Sequence, residues 1–462
     1  MRRIEFGAPA WQSYLRSRAR AGAPPPRLMR KVARIVDDVR RRGDRALIGY
    51  TRRFDGVALT PSAIKARASE VRASARRAEP ALVHSLRAMA SRIDAFHRRQ
   101  RDNGFRMRLR DGSLLEEVVA PIESVGLYVP GGAGAYPSSV LMNAIPARIA
   151  GVPRIAVVIP PRALEASPAV AAALLVAGLE DSVFRVGGAQ AVAALAYGTA
   201  SVPKVAKIVG PGSAYVAAAK RLVRGAVETS AEAGPSEVVV LADDTADAGY
   251  VAADLLAQAE HGSGDEAVAL VTTSEALLEE VGRLIEEGLP KVANVPKARR
   301  ALRLYGALVR VRDLEAGVAA VNALAPEHAQ VMTRAASFVA RRIVAGAVFV
   351  GDNAPVAVGD YGVGPNHVLP TGGSARFSSP LSVRDFQRRS SRVWLSARGL
   401  RRVAGDVVRV ALAEGFRGHA QSVLTRLQSR AQSRGSARAE KLATSRSSLP
   451  LRGEGWGGGP TE

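Results

Sequence analysis

Apolar side chains fall at helical spacing through the first hundred residues. In LMRKVARIVDDVRRRGDRALIGYTRRF, Leu28, Val32, Ile35, Val36 and Val39 share one face, and Leu82, Leu86, Met89, Ile93 and Phe96 repeat the pattern through about 80–100. Residues 1–100 are therefore expected to be helical, with a break at Pro24–Pro26. From 115 the texture changes. The apolar runs VGLYV, RIAVVIPP, VFRVGG and KVAKIVGPG predict buried strands, and they alternate with the helical runs PSSVLMNAIPARIAGV, PAVAAALLVAGLE, AQAVAALAYGT and SAYVAAAKRLV. A second series begins near 237 with EVVVLADDTAD and YVAADLLAQAEHG, and ends with LEAGVAAVNALAPEH and AGAVFV.

Such alternation predicts parallel sheets covered by helices on both faces. The expected fold class is α/β: two Rossmann-like, incompletely doubly wound α/β domains plus a small helical C-terminal region. Residues 1–128 and 237–380 are assigned to the first domain and 129–236 to the second, which is expected to take the dinucleotide. Residues 381–430, from LSVRDFQRRSSRVWLS onward, read as a basic helical segment. Residues 431–462 are Ser/Arg/Gly-rich, lack apolar periodicity and are expected to be a disordered basic tail.

Composition narrows the chemistry. The 462 residues include no cysteine, which excludes disulfides, thiolate zinc sites and a cysteine nucleophile. Any metal must then be held by His, Asp, Glu, Gln or Asn. The longest apolar run, PAVAAALLVAGL at 168–179, is too short to span a bilayer, and the charged N-terminus has no secretory h-region. A cytoplasmic protein without membrane contact is expected. The net charge of +23 raises the possibility of nucleic-acid binding, but aromatics for base stacking make up only 5% of the chain. The basic excess is read as spread over exposed helices and the tail, with no nucleic-acid partner.

Candidate chemistry concentrates between 325 and 367, in APEHAQ and AGAVFVGDNAPVAVGDYGVGPNH. Glu327 and His328 are adjacent after a proline, where a helix can begin; a carboxyl beside an imidazole suits proton transfer near neutral pH. Asp360 and His367 frame the irregular loop YGVGPN. Upstream, Gln258 and His261 are three apart on a helix and share a face, a spacing that suits one metal ion or, equally, a polar helix end in solvent. Glu414 and His419 lie in the last helical segment. The glycine turns VGGAQ and VGPGS open onto helix starts, as phosphate sites do, yet glycine also serves simply to turn tightly. His84 and His97 read as surface or packing residues.

Several long stretches taken together are more specific: GLYVPGG, PSSVLMNAIPA, GGAQAVAALAYGT, VPKVAKIVGPGSAYVAAAK, AGPSEVVVLAD, AADLLAQAEH, LAPEH, AGAVFVG, VGDYGVGPNHVLPTGG and ARFSSPLSV. Carrying these in order, the chain resembles the histidinol dehydrogenases from about 30 to about 425. The resemblance implies oxidation of L-histidinol through L-histidinaldehyde to L-histidine, the last steps of histidine biosynthesis, with two NAD reduced and one Zn2+ per subunit. It implies zinc ligands at Gln258, His261, Asp360 and His419, a general base at His328 and a water-activating acid–base at Glu327. Ser236, His367 and Glu414 match substrate contacts, as do the four ligands and His328, while Tyr128, Gln190 and Ser213 match cofactor contacts. It further implies a homodimer in which His419 and Glu414 serve the neighbouring subunit. Two departures stand out: Ser213 replaces the asparagine usual in GPGN, and Ser230 stands where an aspartate is usual. A related zinc- and NAD-dependent dehydrogenase of another polar alcohol, such as a sulfonated propanediol, is the alternative; His367 and Glu414 together argue against it.

Overall fold

A computed structural model describes residues 1–20, 25–130, 136–229 and 234–428. The chain forms two units, residues 1–102 with 120–388, and 103–119 with 389 onward. The first unit contains two all-parallel sheets. One has five strands in the order Val183–Phe184, Arg154–Val158, Ser124–Tyr128, Lys207–Val209, Glu228–Thr229. The other has six, in the order Arg2–Glu5, Ala307–Arg310, Ala267–Thr272, Glu237–Ala242, His328–Met332, Ala347–Val350.

Strand side chains alternate between faces, so each sheet feeds two cores. Val125, Leu127 and Val157 pack against helices Pro80–Arg98, Pro137–Ala150 and Pro168–Val176, whereas Tyr128, Ala156 and Val158 join helices Pro26–Arg42, Gly188–Tyr197 and Ala214–Val223. In the six-stranded sheet, Val238, Val240 and Ala242 face helices Ala248–Ala259 and Glu275–Gly288, while Val239 and Leu241 face helices Pro9–Arg20 and Leu314–Leu324. This is the expected α/β class with helices on both faces, together with a helical C-terminal region.

Four local expectations are corrected. Residues 1–100 are not all helical: Arg2–Glu5 is an edge strand, paired in register with Ala307–Arg310. The long helix expected over 28–54 is two helices, Pro26–Arg42 and Asp44–Asp55, separated by Gly43 at φ 54°, a backbone conformation glycine adopts without penalty. Glu327–His328 do not begin a helix; His328–Met332 is a central strand, because edges on both sides offer it a ladder. Within the segment read as helical from 381, Gln387–Trp394 is a strand, placed beside Leu114–Pro121 in a three-stranded sheet with Phe105–Arg108. Its run of polar residues has no apolar face at helical spacing, and nearly every position is exposed in the strand. The first 128 residues also distribute differently from the domain assignment above: Ser124–Tyr128 is central to the five-stranded sheet, and the helices between 26 and 98 pack on that sheet.

The second unit comprises that three-stranded sheet, for which Asn103–Val119 and Arg389 onward supply most residues, and helix Ala397–Ala413, followed by helical residues 417–428. Ser396 caps the helix by accepting from Gly399 N–H at 2.8 Å. Val403, Val407 and Val410 lie exposed along that helix, and Leu412 and Phe416 continue the exposed apolar surface. The expected tail at 431–462 and Ser230 lie outside the described residues. Among the described residues, no helix is long and apolar enough to cross a membrane.

Candidate active site

Helix Leu314–Leu324 ends at Ala325, which adopts φ 43°, a left-handed conformation that costs a non-glycine residue about 1–2 kcal/mol. Pro326 follows, and Glu327 and His328 open the strand His328–Met332. In register, His328 faces Val238 on one side and Ala347 on the other. The chain comes close here: a Cβ on Gly346 would lie 2.7 Å from the Glu327 carbonyl oxygen.

His328 is buried and its Nδ1 lies 2.9 Å from the carbonyl oxygen of Glu237. A carbonyl only accepts, so Nδ1 carries the proton and Nε2 presents a lone pair. Burial lowers the imidazole pKa below its ordinary 6.5, against the opposing charges of Asp360 and Glu237. Glu327 is also buried. Its Oε2 accepts from Glu237 N–H at 2.9 Å, and burial pushes its pKa well above the carboxylate range. The Glu237 main chain and the Ser236 hydroxyl hydrogen-bond to the charged form and oppose the rise, whereas the charges of Glu237 and Asp360 add to it. His328 Nδ1 and Glu327 Oε2 are 3.5 Å apart. Across that contact the two shifts, the imidazole down and the carboxyl up, both favour the uncharged forms.

His367 completes the group. Its Nε2 is 3.5 Å from Ser139 Oγ and its Nδ1 is 3.7 Å from Asp360 Oδ1. Burial lowers its pKa first; Asp360 raises it, and the nearby His328 and His261 lower it. The adjoining loop is pinned by Asn366, whose amide donates to Met142 O at 2.7 Å, accepts from Val368 N–H at 2.9 Å and lies 3.3 Å from Nε2 of His97. His97 is thus a buried packing residue, and His84 is exposed, as expected of both.

A cleft of about 430 Å³ brings together Ser213, Ser236, His261, Glu327, His328, Asp360 and His367. A larger cavity of about 880 Å³ shares His328, His367 and Leu369 with it. Gln258, Tyr128 and Gln190 are not among the residues that line the cleft. Gln258 is buried near the end of helix Ala248–Ala259, and its Nε2 has no hydrogen-bond partner. The Tyr128 hydroxyl accepts from Gly188 N–H at 3.0 Å, and burial pushes its pKa up to about 12. Gln190 folds back over the same glycine, whose added Cβ would lie 2.6 Å from its Oε1. Ser213 is exposed at the start of helix Ala214–Val223, where no side chain caps the free N–H groups, an arrangement open to an anion.

Glu414 and His419 belong to the second unit, where both are exposed. Among the described residues no three His, Asp or Glu side chains converge as a metal site. Of the expected ligands, the first unit supplies only His261 and Asp360 from those residue types, with Gln258 as an amide. The unpartnered Gln258 amide and this all N/O donor set suit a zinc ion whose coordination is completed from elsewhere.

Three contributors escaped the sequence reading: Glu237, which holds both Glu327 and His328 through its main chain, Arg18, which pairs with it, and Ser139 beside His367. Glu237 left a signal, an acid opening the otherwise apolar strand EVVVLA, but nothing local marks Arg18.

The histidinol dehydrogenase family model matches residues 19–427. The chain is 45% identical to the histidinol dehydrogenase of Syntrophotalea carbinolica over 411 residues, 89% of this chain and 95% of that protein. It is 46% identical to that of Rhizobium meliloti over 397 residues, 86% and 91% of the two. The crystal structure of histidinol dehydrogenase from Elizabethkingia anophelis superposes with a TM-score of 0.85 at 32% identity, covering 93% of this chain and 98% of that one.

Proposed function

The chain belongs to the histidinol dehydrogenase family, an oxidoreductase family, and from that premise we propose that it converts L-histidinol through L-histidinaldehyde to L-histidine with zinc and two NAD. The observation that carries the reading is the Nδ1–H tautomer of His328, whose neutral Nε2 is free to take a proton, in a cleft shared with His261, Asp360 and His367.

Gln258, His261 and Asp360 would hold the zinc together with His419, and Tyr128, Gln190 and Ser213 would contact NAD. When bound, these groups supply Lewis-acid anchoring of the amino alcohol and hydride acceptance. The chain's own part is proton handling. Nε2 of His328 takes the hydroxyl proton as hydride leaves the carbinol carbon. The resulting imidazolium lies beside Glu327, and a neighbouring positive charge favours the carboxylate form of Glu327. Glu327 then serves as base toward the water that adds to the aldehyde carbon in the second oxidation. Ser236 and His367 orient the substrate from the cleft wall.

Glu414 and His419 are assigned to the site of a second copy in a homodimer. The exposed Val403, Val407, Val410 and Phe416 supply an apolar face for such a copy, since contiguous exposed apolar surface marks interaction sites. The 880 Å³ cavity beside His328 is larger than a small amino alcohol fills, which leaves room for its side chains.

NADH formation from L-histidinol, before and after chelation and zinc return, tests the proposal. Two NADH per histidinol, abolished by the chelator and restored by zinc, is the expected result. No NADH from folded, zinc-loaded protein would move the assignment to another polar alcohol. The shared site has its own test: mixed dimers of His419→Asn and His328→Asn chains should regain part of the activity that each variant lacks, and none in verified mixed dimers would count against it.

A further inference from the structure

Glu237 is the point at which the proton-transfer pair is fastened. Its N–H donates to Glu327 Oε2 at 2.9 Å and its carbonyl accepts from His328 Nδ1 at 2.9 Å. Both groups are therefore set by the orientation of the peptides on either side of this residue. The side chain in turn fixes those peptides. Oε1 pairs with the Arg18 guanidinium and accepts from Gly372 N–H at 3.2 Å, while Oε2 accepts from Glu327 N–H at 3.3 Å. Glu327 and Glu237 thus hold each other reciprocally, N–H to carboxylate in both directions.

Arg18 arrives from the far end of the sequence, on helix Pro9–Arg20. One turn earlier Tyr14 donates its hydroxyl to Tyr305 O at 3.0 Å, and the Arg18 guanidinium lies 5.8 Å from the Tyr305 ring centre. The ion pair is well shielded, with side-chain exposures of 12% for Arg18 and 6% for Glu237. Shielded ion pairs recover little net stability over apolar replacements, while breaking one leaves an uncompensated charge. A pair in this position therefore needs a reason beyond stability. Glu237, Arg18 and Tyr14 line a separate cavity of about 330 Å³ and are absent from the lining of the cleft that holds His261, Asp360 and His367. The pair reaches the proton-transfer groups from behind, through the Glu237 main chain and through its carboxylate, which accepts from Glu327 N–H and adds its charge to the field at both groups.

We propose that the Arg18–Glu237 ion pair is a positioning device for the proton-transfer pair: it locks the main chain at 237, and with it the Nδ1–H tautomer of His328 and the direction of the Glu327 carboxyl. This rests on the reading of Glu327 and His328 as the proton-transfer groups.

The test combines ring-nitrogen NMR of the full-length, histidine-labelled protein with steady-state kinetics on histidinol, for wild type, Arg18→Ala, Arg18→Lys and Glu237→Gln. The His328 signals are assigned by their loss in His328→Asn. Wild type should show Nδ1 protonated and Nε2 unprotonated. In Arg18→Ala the His328 signals should shift toward a mixture of tautomers. Its kcat should fall about 10–100-fold, the range for residues that orient catalytic groups, while KM for histidinol stays within about twofold because Arg18 itself lies outside the cleft lining. Arg18→Lys keeps the charge and one donor, and should restore both readouts. If Arg18→Ala does not fold, Glu237→Gln takes its place, since it loses the charge and keeps one side-chain oxygen, enough to accept from Gly372 N–H or Glu327 N–H but not from both. Unchanged His328 signals in folded Arg18→Ala or Glu237→Gln would overturn the proposal whatever happens to kcat, as would a tautomer shift that Arg18→Lys fails to reverse. A wild type that ignores histidinol would sink the functional reading alone, because the NMR arm needs no turnover.

Discussion

The two parallel sheets meet the cleft with opposite ends. The five-stranded sheet offers the carboxyl ends of Ser124–Tyr128 and Lys207–Val209, which continue into Pro130 and into Pro211, Gly212 and Ser213. Strand order reverses between these two strands, the usual place for a ligand crevice in an open α/β sheet. Beyond the second strand, helix Ala214–Val223 directs its N-terminus toward the cleft lining at Ser213. The six-stranded sheet offers amino ends: Ser236 precedes Glu237–Ala242, Glu266 precedes Ala267–Thr272 and Glu327 precedes His328–Met332. The helices that lead into this edge, Ala248–Ala259 and Leu314–Leu324, arrive with their C-termini. Helix N-termini favour anions and helix C-termini favour cations. One edge is therefore suited to a phosphate-bearing cofactor, and the other to a metal ion and to an imidazole that gains a proton. On the proposed function, the same α/β architecture, used from its two ends, would separate cofactor binding from proton chemistry.

The largest effects should come from breaking each edge in turn. His328→Asn removes the lone pair at the amino edge, and turnover should fall about 10²–10⁴-fold, the usual contribution of a positioned general base. Equilibrium NAD binding and zinc content should stay near wild type, and loss of zinc on its substitution would make His328 a ligand instead. Gly210→Ala attacks the carboxyl edge. Gly210 has φ 103°, and an added Cβ would lie 2.2 Å from the Tyr128 carbonyl oxygen, so the backbone itself must move. Destabilisation above about 4 kcal/mol is expected for a clash of this kind, read as a lower midpoint in urea. Where folded protein is recovered, NAD affinity should fall more than histidinol affinity; the reverse would remove the division of labour between the edges.

Much of this contrast was legible in the chain because strands, helices and glycine turns are local. The strands EVVVLA and AVALVT and their helices follow from apolar runs and periodicity, and GPGS announces its turn by composition alone. What could not be read is what depends on pairing at a distance. RRIE at 2–5 looks too short and charged for a strand until Ala307–Arg310 supplies its ladder. HAQVM looks like a helix start after Pro326 until strands on both sides claim it. The histidines and acids of the site were visible as residues, yet the tautomer of His328 depends on a carbonyl 91 positions away. Arg18 lies 219 positions from its partner. Local pattern identifies elements and reactive groups; the hydrogen bonds that tune them belong to the tertiary fold.

A smaller effect sharpens the amino edge through stability. The folded pKa of Glu327 is raised, so the native state binds its proton more tightly than the unfolded chain does. Its contribution to stability must then decline as pH rises above the ordinary carboxyl value of 4.5, and level off beyond the folded value. His328 has the opposite sign. Its folded pKa is lowered, so stability is lost as pH falls through 6.5 toward the folded value. Glu327→Gln in metal-free protein should therefore raise the thermal midpoint at pH 7.5 relative to wild type, and the gain should shrink at pH 4. The second oxidation should be lost in the same variant, the expected exchange of stability for function at a buried acid. A lower midpoint at pH 7.5 would show that the hydrogen bond from Glu237 outweighs the burial of the carboxylate.

The smallest expected effect tests the carboxyl edge without breaking it. Ser213 has φ −61° and ψ 170°, is exposed, and makes no capping bond to the helix it precedes. The resemblance to the histidinol dehydrogenases leads one to expect an asparagine there, whose amide reaches farther than a hydroxyl and both donates and accepts. If this edge holds NAD, Ser213→Asn should lower KM for NAD about two- to fivefold, equivalent to one neutral hydrogen bond of about 0.5–1 kcal/mol. At saturating NAD, kcat should not change, because the amino edge and its proton-transfer pair are untouched. Initial rates against NAD concentration at fixed histidinol separate the outcomes. A fall in kcat with constant KM would mean that the two edges are coupled, and that the cofactor's placement, rather than its affinity, limits the reaction.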